Sequence, residues 1–199
     1  MSLADRWPLR TGTDVRDALL AAYSSPTRGY HDTQHLREVL DRLDELAAGG
    51  EGFDRTTVAL AAWFHDGVYD GAPGAEDRSA RWAERDLPGT GLAPDQVAEV
   101  ARLVRLTEHH RPAADDPPGR ALSDADLAIL AADDDRYADY TADVRREYAH
   151  VVEVDFRAGR AAVLRDLLAA PHLFGTAYGR ARWEARARAN VLAELGSTP

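Results

Sequence analysis

Two residue types are missing from this 199-residue chain, and each absence closes off some chemistry. There is no cysteine, so disulfides, thiolate catalysis and cysteine-held zinc or iron–sulfur sites are excluded. There is no lysine either, and all 24 basic residues are arginine. Schiff-base chemistry, a lysine general base and a Walker-type lysine are therefore ruled out, and a phosphate on any ligand would have to meet arginine, histidine, a metal or backbone amides. Isoleucine occurs once and no run alternates with period two, so strand signals are nearly absent. No apolar run approaches the roughly 20 residues that span a bilayer. The opening MSLADRWPLR also lacks the apolar stretch of a signal peptide. A cytoplasmic protein with no membrane partner is the expectation, and the absence of cysteine fits it.

What is present is acidic and helical. The formal net charge of −10 argues against a nucleic-acid polymer as partner, because such binding needs a phosphate-neutralising basic face. A composition of 45% hydrophobic and 29% charged residues is that of a globular chain, long enough for one domain over 1–199 with its own core. Apolar residues recur at helical spacing. Residues 33–47 carry Leu36, Val39, Leu40, Leu43 and Leu46 on one stripe, ended by Gly49, Gly50 and Gly52. Residues 55–66 are almost wholly apolar and predict a central buried helix. Further helices are expected at 14–24, 76–86, 94–108, 123–131, 134–150, 155–169 and 177–195, with RPAADDPPGR at 111–120 as a surface loop. The expectation is an all-α bundle of about eight to nine helices, with a core over about 28–135 and C-terminal helices over about 136–195 packed on it. The last helix, carrying Trp183, Val191, Leu192 and Leu195, would dock on that core or pair with a second chain as a homodimer.

Five of the seven histidines fall in three short segments: His31 with His35, His65, and His109 with His110. His65-Asp66 ends the most apolar helix, where an uncompensated carboxylate is costly and a divalent metal is an efficient partner. The alternative is a pair that caps the helix and binds itself, although aspartate at a C-terminus opposes the helix dipole. At about 100° per residue, His35 lies within about 40° of Val39, at the border of the buried face. His31 precedes the N-cap expected at Asp32 or Thr33 and is less constrained. In LSDADLAIL, Asp124 suits the role of helix cap, which leaves Asp126 as the better ligand candidate; both could instead sit in solvent at the helix start.

An early histidine, a His-Asp pair about thirty residues on and a distant aspartate in a D-x-D-L setting resemble the HD superfamily of metal-dependent phosphohydrolases, all-helical proteins. In HDTQHLREV the second histidine matches the superfamily's first ligand, His65-Asp66 matches its eponymous doublet, and DADL matches its last motif. The resemblance therefore implies His35, His65, Asp66 and Asp126 as ligands. RGYHDTQHL, WFHDGVYD, EDRSA, LTEHH, SDADLAIL, VRREYAHV and FRAGRAAVLRDLL extend it, in order, from residue 28 to about 170. Together they resemble a mostly uncharacterised bacterial group of such proteins.

Two imidazoles and two carboxylates suit one divalent ion, which could be Mn²⁺, Mg²⁺, Co²⁺, Ni²⁺, Fe²⁺ or Zn²⁺. Such an ion would activate water against a small phosphorylated substrate, a nucleotide or another phosphomonoester. The resemblance also implies an acidic residue just past the doublet as general acid or base, which would be Asp70, with a simple loop aspartate in YDGAPG as the alternative, and it leaves room for a second metal. One of His109 and His110 would contact phosphate or protonate the leaving group, and the other would face solvent, since neighbours on a helix point about 100° apart. Arg28, Arg145 and Arg160 are phosphate-anchor candidates, each with a solvated helix face as the alternative, and Arg145 with Glu147 could be a simple surface pair. Tyr30, Trp63 and Tyr69 would stack on a ring or belong to the core. His31 would line the pocket. Two other readings share these residues: a di-iron oxygenase on the same fold, using His109, His110 and Asp70 as further ligands, and a non-catalytic metal- or nucleotide-binding domain.

Overall fold

A computed structural model describes residues 2–196; Met1 and 197–199, the ends of the expected 1–199 domain, lie outside the described residues. Among these residues there are ten α-helices, two short 3₁₀ turns and no strand. The helices are α1 (Thr13–Tyr23), α2 (Thr33–Ala48), α3 (Arg55–Phe64), α4 (Ala75–Asp86), α5 (Pro94–Leu106), α6 (Pro117–Leu127), α7 (Asp134–Glu147), α8 (Glu153–Ala169), α9 (Ala177–Arg182) and α10 (Glu184–Gly196). The chain is all-α, as expected.

Helix α3 is the hub. Val58, Leu60, Ala61, Ala62, Trp63 and Phe64 have no measurable exposure, and α3 packs on α2, α4, α5 and α6. Small alanines let neighbours approach closely, while Trp63 meets Trp7 edge-on at 5.3 Å and Phe64 meets Trp82 at 6.2 Å. Each large side chain withdrawn from water there contributes about 1.5–3 kcal/mol. Trp63 thus belongs to the core. Helix starts follow their caps: Asp32 accepts from the amides of Gln34 and His35, and Asp54 from that of Thr57.

Two boundaries depart most from expectation. Helix α6 begins at Pro117, inside the stretch read as loop, because Asp116 caps it by accepting from Gly119 N and the prolines occupy positions whose N–H would be unpaired anyway. Asp124 is therefore no cap; it lies deep in the helix. The single helix expected at 177–195 is two, broken at Trp183. Its amide bonds Gly179 O while its ring turns inward against Phe174 and Tyr178. Helix α10 docks on α8, α9 and the 3₁₀ turn Ala128–Ala131, burying Val191 and leaving Leu192 exposed.

Candidate metal centre

Helices α2, α3 and α6 bring the centre together. Asp32 caps α2 directly in front of His35, which is 1% exposed. His65 ends α3 with its amide still bonded to Ala61 O, so its ring inherits the rigidity of the most buried helix. Asp66 follows in a turn closed by Gly67 N to Phe64 O, and its own amide donates to the buried Tyr23 hydroxyl of α1.

Asp124 and Asp126 show why residue spacing matters on α6. Two positions apart, they point about 200° apart around the axis. Asp124 turns away and accepts from Gly175 N, Thr176 N and Thr176 Oγ1 at 2.6–2.8 Å. Burial raises its carboxyl above the ordinary aspartate range, against the pull of those bonds. Gly179 lets this segment approach, since a Cβ there would stand 2.6 Å from Asp124 Oδ2. Asp126 turns to the histidines.

The four expected ligands converge. His35 Nε2 lies 3.0 Å from His65 Nε2, 3.2 Å from Asp126 Oδ1 and 3.3 Å from Asp66 Oδ2. His65 Nε2 lies 3.0 Å from Asp66 Oδ2 and 3.6 Å from Asp126 Oδ1. His35, His65 and Asp126 form a buried group able to hold a metal ion, one donor atom from each within 4.8 Å of the others. Asp66 touches it through both imidazoles.

Two observations test the fit of a cation. First, His65 Nδ1 donates to Ala62 O at 2.7 Å, so in the neutral ring the Nε2 lone pair faces the carboxylates. Second, Asp66 Oδ2 is buried without a hydrogen bond despite its closeness to two ring nitrogens. Lone pairs meeting lone pairs require positive charge between them. Without an ion, protons supply it. Burial opposes charge on His35, but Asp126 and Asp66 outweigh it and raise the ring to about 9. His65 is likewise held well up, against burial, by Asp66 and other neighbours. Both carboxylates stay well below the ordinary range despite burial, Asp66 chiefly through His65 and His31, and Asp126 chiefly through His65 and His35. Four of the five separations, at 3.0–3.3 Å, match donor edges of about 3.0–3.4 Å around an ion with ligands at about 2.1 Å, and the fifth, at 3.6 Å, is slightly longer.

A cleft of about 530 Å³ opens over Asp66 and Asp126, lined in part by Tyr30, His31, Tyr69 and His110. His110 places Nε2 3.5 Å from Asp126 Oδ2, while its Nδ1 is buried without a partner. Burial lowers its pKa. Its backbone has φ +49°, a conformation few side chains adopt, which turns the ring inward. His109 points away and is two-thirds exposed. Asp70 sits on an exposed loop in a two-point pair with Arg78, which holds its carboxyl far below the usual range, and it is not among the cleft's lining residues.

The arginine candidates divide. Arg160 lines the cleft but donates to Glu194 and Tyr140. Arg145 bonds Glu153 and the Tyr148 carbonyl, over the Phe156 ring. Arg28 lies over Tyr23 and donates to His31 O and Gly67 O, tying the loop before α2 to the turn after Asp66. Tyr30 is buried against His35 and Tyr140, and Tyr69 stacks on His31 at 3.9 Å.

Glu147 is the residue that sequence reasoning placed wrongly. It forms no surface pair with Arg145. Its side chain is 4% exposed, and Oε1 accepts the amides of Gly29, Tyr30 and His31 while Oε2 accepts from His31 Nδ1 at 2.7 Å. Burial opposes its ionisation, but His31 and the amides hold its pKa below the ordinary value. The available signal was its place within VRREYAHV, one of the ordered segments.

No protein-family model matches the chain, and no curated protein or solved structure matches it either. Among the described residues, no helix is long and apolar enough to cross a membrane.

Proposed function

We propose that this chain is a metal-dependent phosphohydrolase of the HD type, acting on a small phosphorylated molecule. The observation that carries the reading is the buried meeting of His35, His65, Asp66 and Asp126 at the floor of a ligand-sized cleft. These four would hold one divalent ion, of the kind that mixed imidazole and carboxylate donors accept. Such an ion supplies Lewis-acid stabilisation of phosphoryl charge and lowers the pKa of water. The chain's own residues do the rest. The Ala62 carbonyl fixes which nitrogen His65 presents. His110, which lines the cleft and whose pKa burial lowers, would accept a proton as its neutral ring. His31, held through Nδ1 by Glu147, presents its other edge to the same space. Asp70 and His109 have no part in this scheme, and Arg28 and Arg145 support the loops that frame the cleft.

The test is metal content of the purified protein, with Mn²⁺, Co²⁺ and Mg²⁺ titrated back, compared with His35→Ala and Asp66→Ala. Near-stoichiometric ion in the parent, its loss in both folded variants, and release of phosphate from simple esters support the reading. Tight ion binding with no turnover over a broad ester panel would favour a non-catalytic binding domain. No ion under any loading condition sinks the proposal.

A further inference from the structure

We infer that the cleft is built for a monophosphate ester whose other half is flat and apolar, and that it disfavours polyphosphates; the inference rests on the phosphohydrolase reading above. The cleft's size falls within the range of small-molecule sites. Its floor and its wall differ. The floor carries Asp66, Asp126 and His110. The wall is made by Val144, Tyr148, Val151, Phe156 and Val163. Tyr148 and Val163 are 37% and 56% exposed, large apolar surfaces left at the opening. The Tyr148 and Phe156 rings stand 6.0 Å apart at 42°, with Arg145 over one face of Phe156, and a planar group can lie against the surface that both rings give to the cleft. Apolar surface that runs into a cleft marks a contact for something not yet there.

Charge decides what the other half of the ligand can be. Four carboxylates line the cleft, Asp66, Glu76, Asp126 and Asp155, against one arginine, Arg160. That arginine already serves Glu194 with two nitrogens and Tyr140 with the third. A divalent ion beside Asp66 and Asp126 leaves the floor near neutral, so it can take up one phosphate. A second or third phosphate would meet the remaining carboxylates, Glu76 and Asp155, with Arg160 already engaged, and uncompensated like charge is strongly selective. The ester's organic half instead replaces water along the valine and aromatic wall.

Gly159, in α8, supplies the handle for a test. It lines the cleft, and a Cβ there would meet nothing within 4 Å. Gly159→Leu therefore starts from an open Cβ position and extends an apolar side chain at that wall, and Val163→Glu charges the same wall. The protein is first titrated with Mn²⁺. The Mn²⁺-loaded protein is then titrated calorimetrically with 1-naphthylmethylphosphonate, methylphosphonate and a non-hydrolysable adenosine triphosphate analogue. We expect the naphthyl ligand to bind about tenfold or more tighter than either other ligand. Both variants should erase that advantage, with Mn²⁺ and methylphosphonate affinities unchanged within about twofold. Equal affinity for the two phosphonates, preference for the triphosphate, or an undiminished advantage in both variants overturns the inference while leaving the phosphohydrolase reading intact. Failure at the Mn²⁺ stage overturns the reading beneath it, and the inference falls with it.

Discussion

Replacing Glu147 with alanine removes the acceptor of four hydrogen bonds at once: three from consecutive amides at Gly29, Tyr30 and His31, and one from His31 Nδ1. Bonds to a charged group contribute about 1.5–3 kcal/mol each, but water entering the vacated space recovers part of that. Breaking a buried, fully bonded charge costs about 3–5 kcal/mol in practice. In a chain of this length that is about 6–20 °C in Tm. Gly29 sharpens the expectation, because a Cβ there would collide with the Asp143 carbonyl, so the loop has no slack with which to find new partners. Glu147→Gln separates shape from charge. Its amide oxygen can still take the three backbone donors, but its NH2 confronts His31 Nδ1–H and forces the other tautomer, at about 1–2 kcal/mol. Calorimetry and urea unfolding read the stability, and nitrogen-15 NMR reads the tautomer. The pH dependence has a definite sign: a carboxylate held below its ordinary 4.5 stabilises above that pH, and its contribution fades as acid takes the pH through the lower folded value. A loss below about 1 kcal/mol for the alanine variant, or an unchanged His31 tautomer in Glu147→Gln, refutes this account of the loop.

Other outcomes follow from the same geometry. Because His35 is raised from 6.5 to about 9, the metal-free protein should lose stability as pH rises through that interval. The stabilisation given by added Mn²⁺ should grow over the same interval, as the ion ceases to compete with ligand protons; parallel melting profiles with and without ion would count against the site. Asp124→Ala leaves three donors at Gly175 and Thr176 without their acceptor; it should cost about 2–4 kcal/mol in urea unfolding and weaken ion affinity, whereas Asp126→Ala should abolish ion binding. Asp70→Ala should change stability by no more than about 1 kcal/mol and leave ion content and phosphate release as they were; a large fall in turnover would return Asp70 to the chemistry.

The parts legible from sequence were those set by one helix at a time. The stripe on α2 gave both the helix and the inward edge where His35 sits, and the apolar run of α3 gave the hub that His65 ends. Asp124 and Asp126 were harder, because a run of small residues after two prolines hid the true start of α6, and the start of a helix decides which face each residue takes. The inward turn of Trp183 was invisible, since it depends on Phe174 and Tyr178 meeting it. The resemblance points to Asp70, yet the turn after α3 carries it to Arg78. Glu147 was misjudged for the opposite reason: its neighbours on α7 are charged and mostly surface-facing, and only a loop more than a hundred residues earlier buries it.

The opposed carboxylates of α6 have a bearing on how the chain can be shortened. Asp126 reaches the histidines only when α6 sits at one rotation about its axis, and that rotation is fixed on the far side by Asp124 held in the amides of Gly175 and Thr176. A truncation before Gly175 would remove none of the residues around the ion site. It would strip Asp124 of its donors and open it to water, so the very helix that presents Asp126 would lose its far-side anchor. The segment from Gly175 to Gly179 thus acts as a latch on the candidate metal centre from outside it.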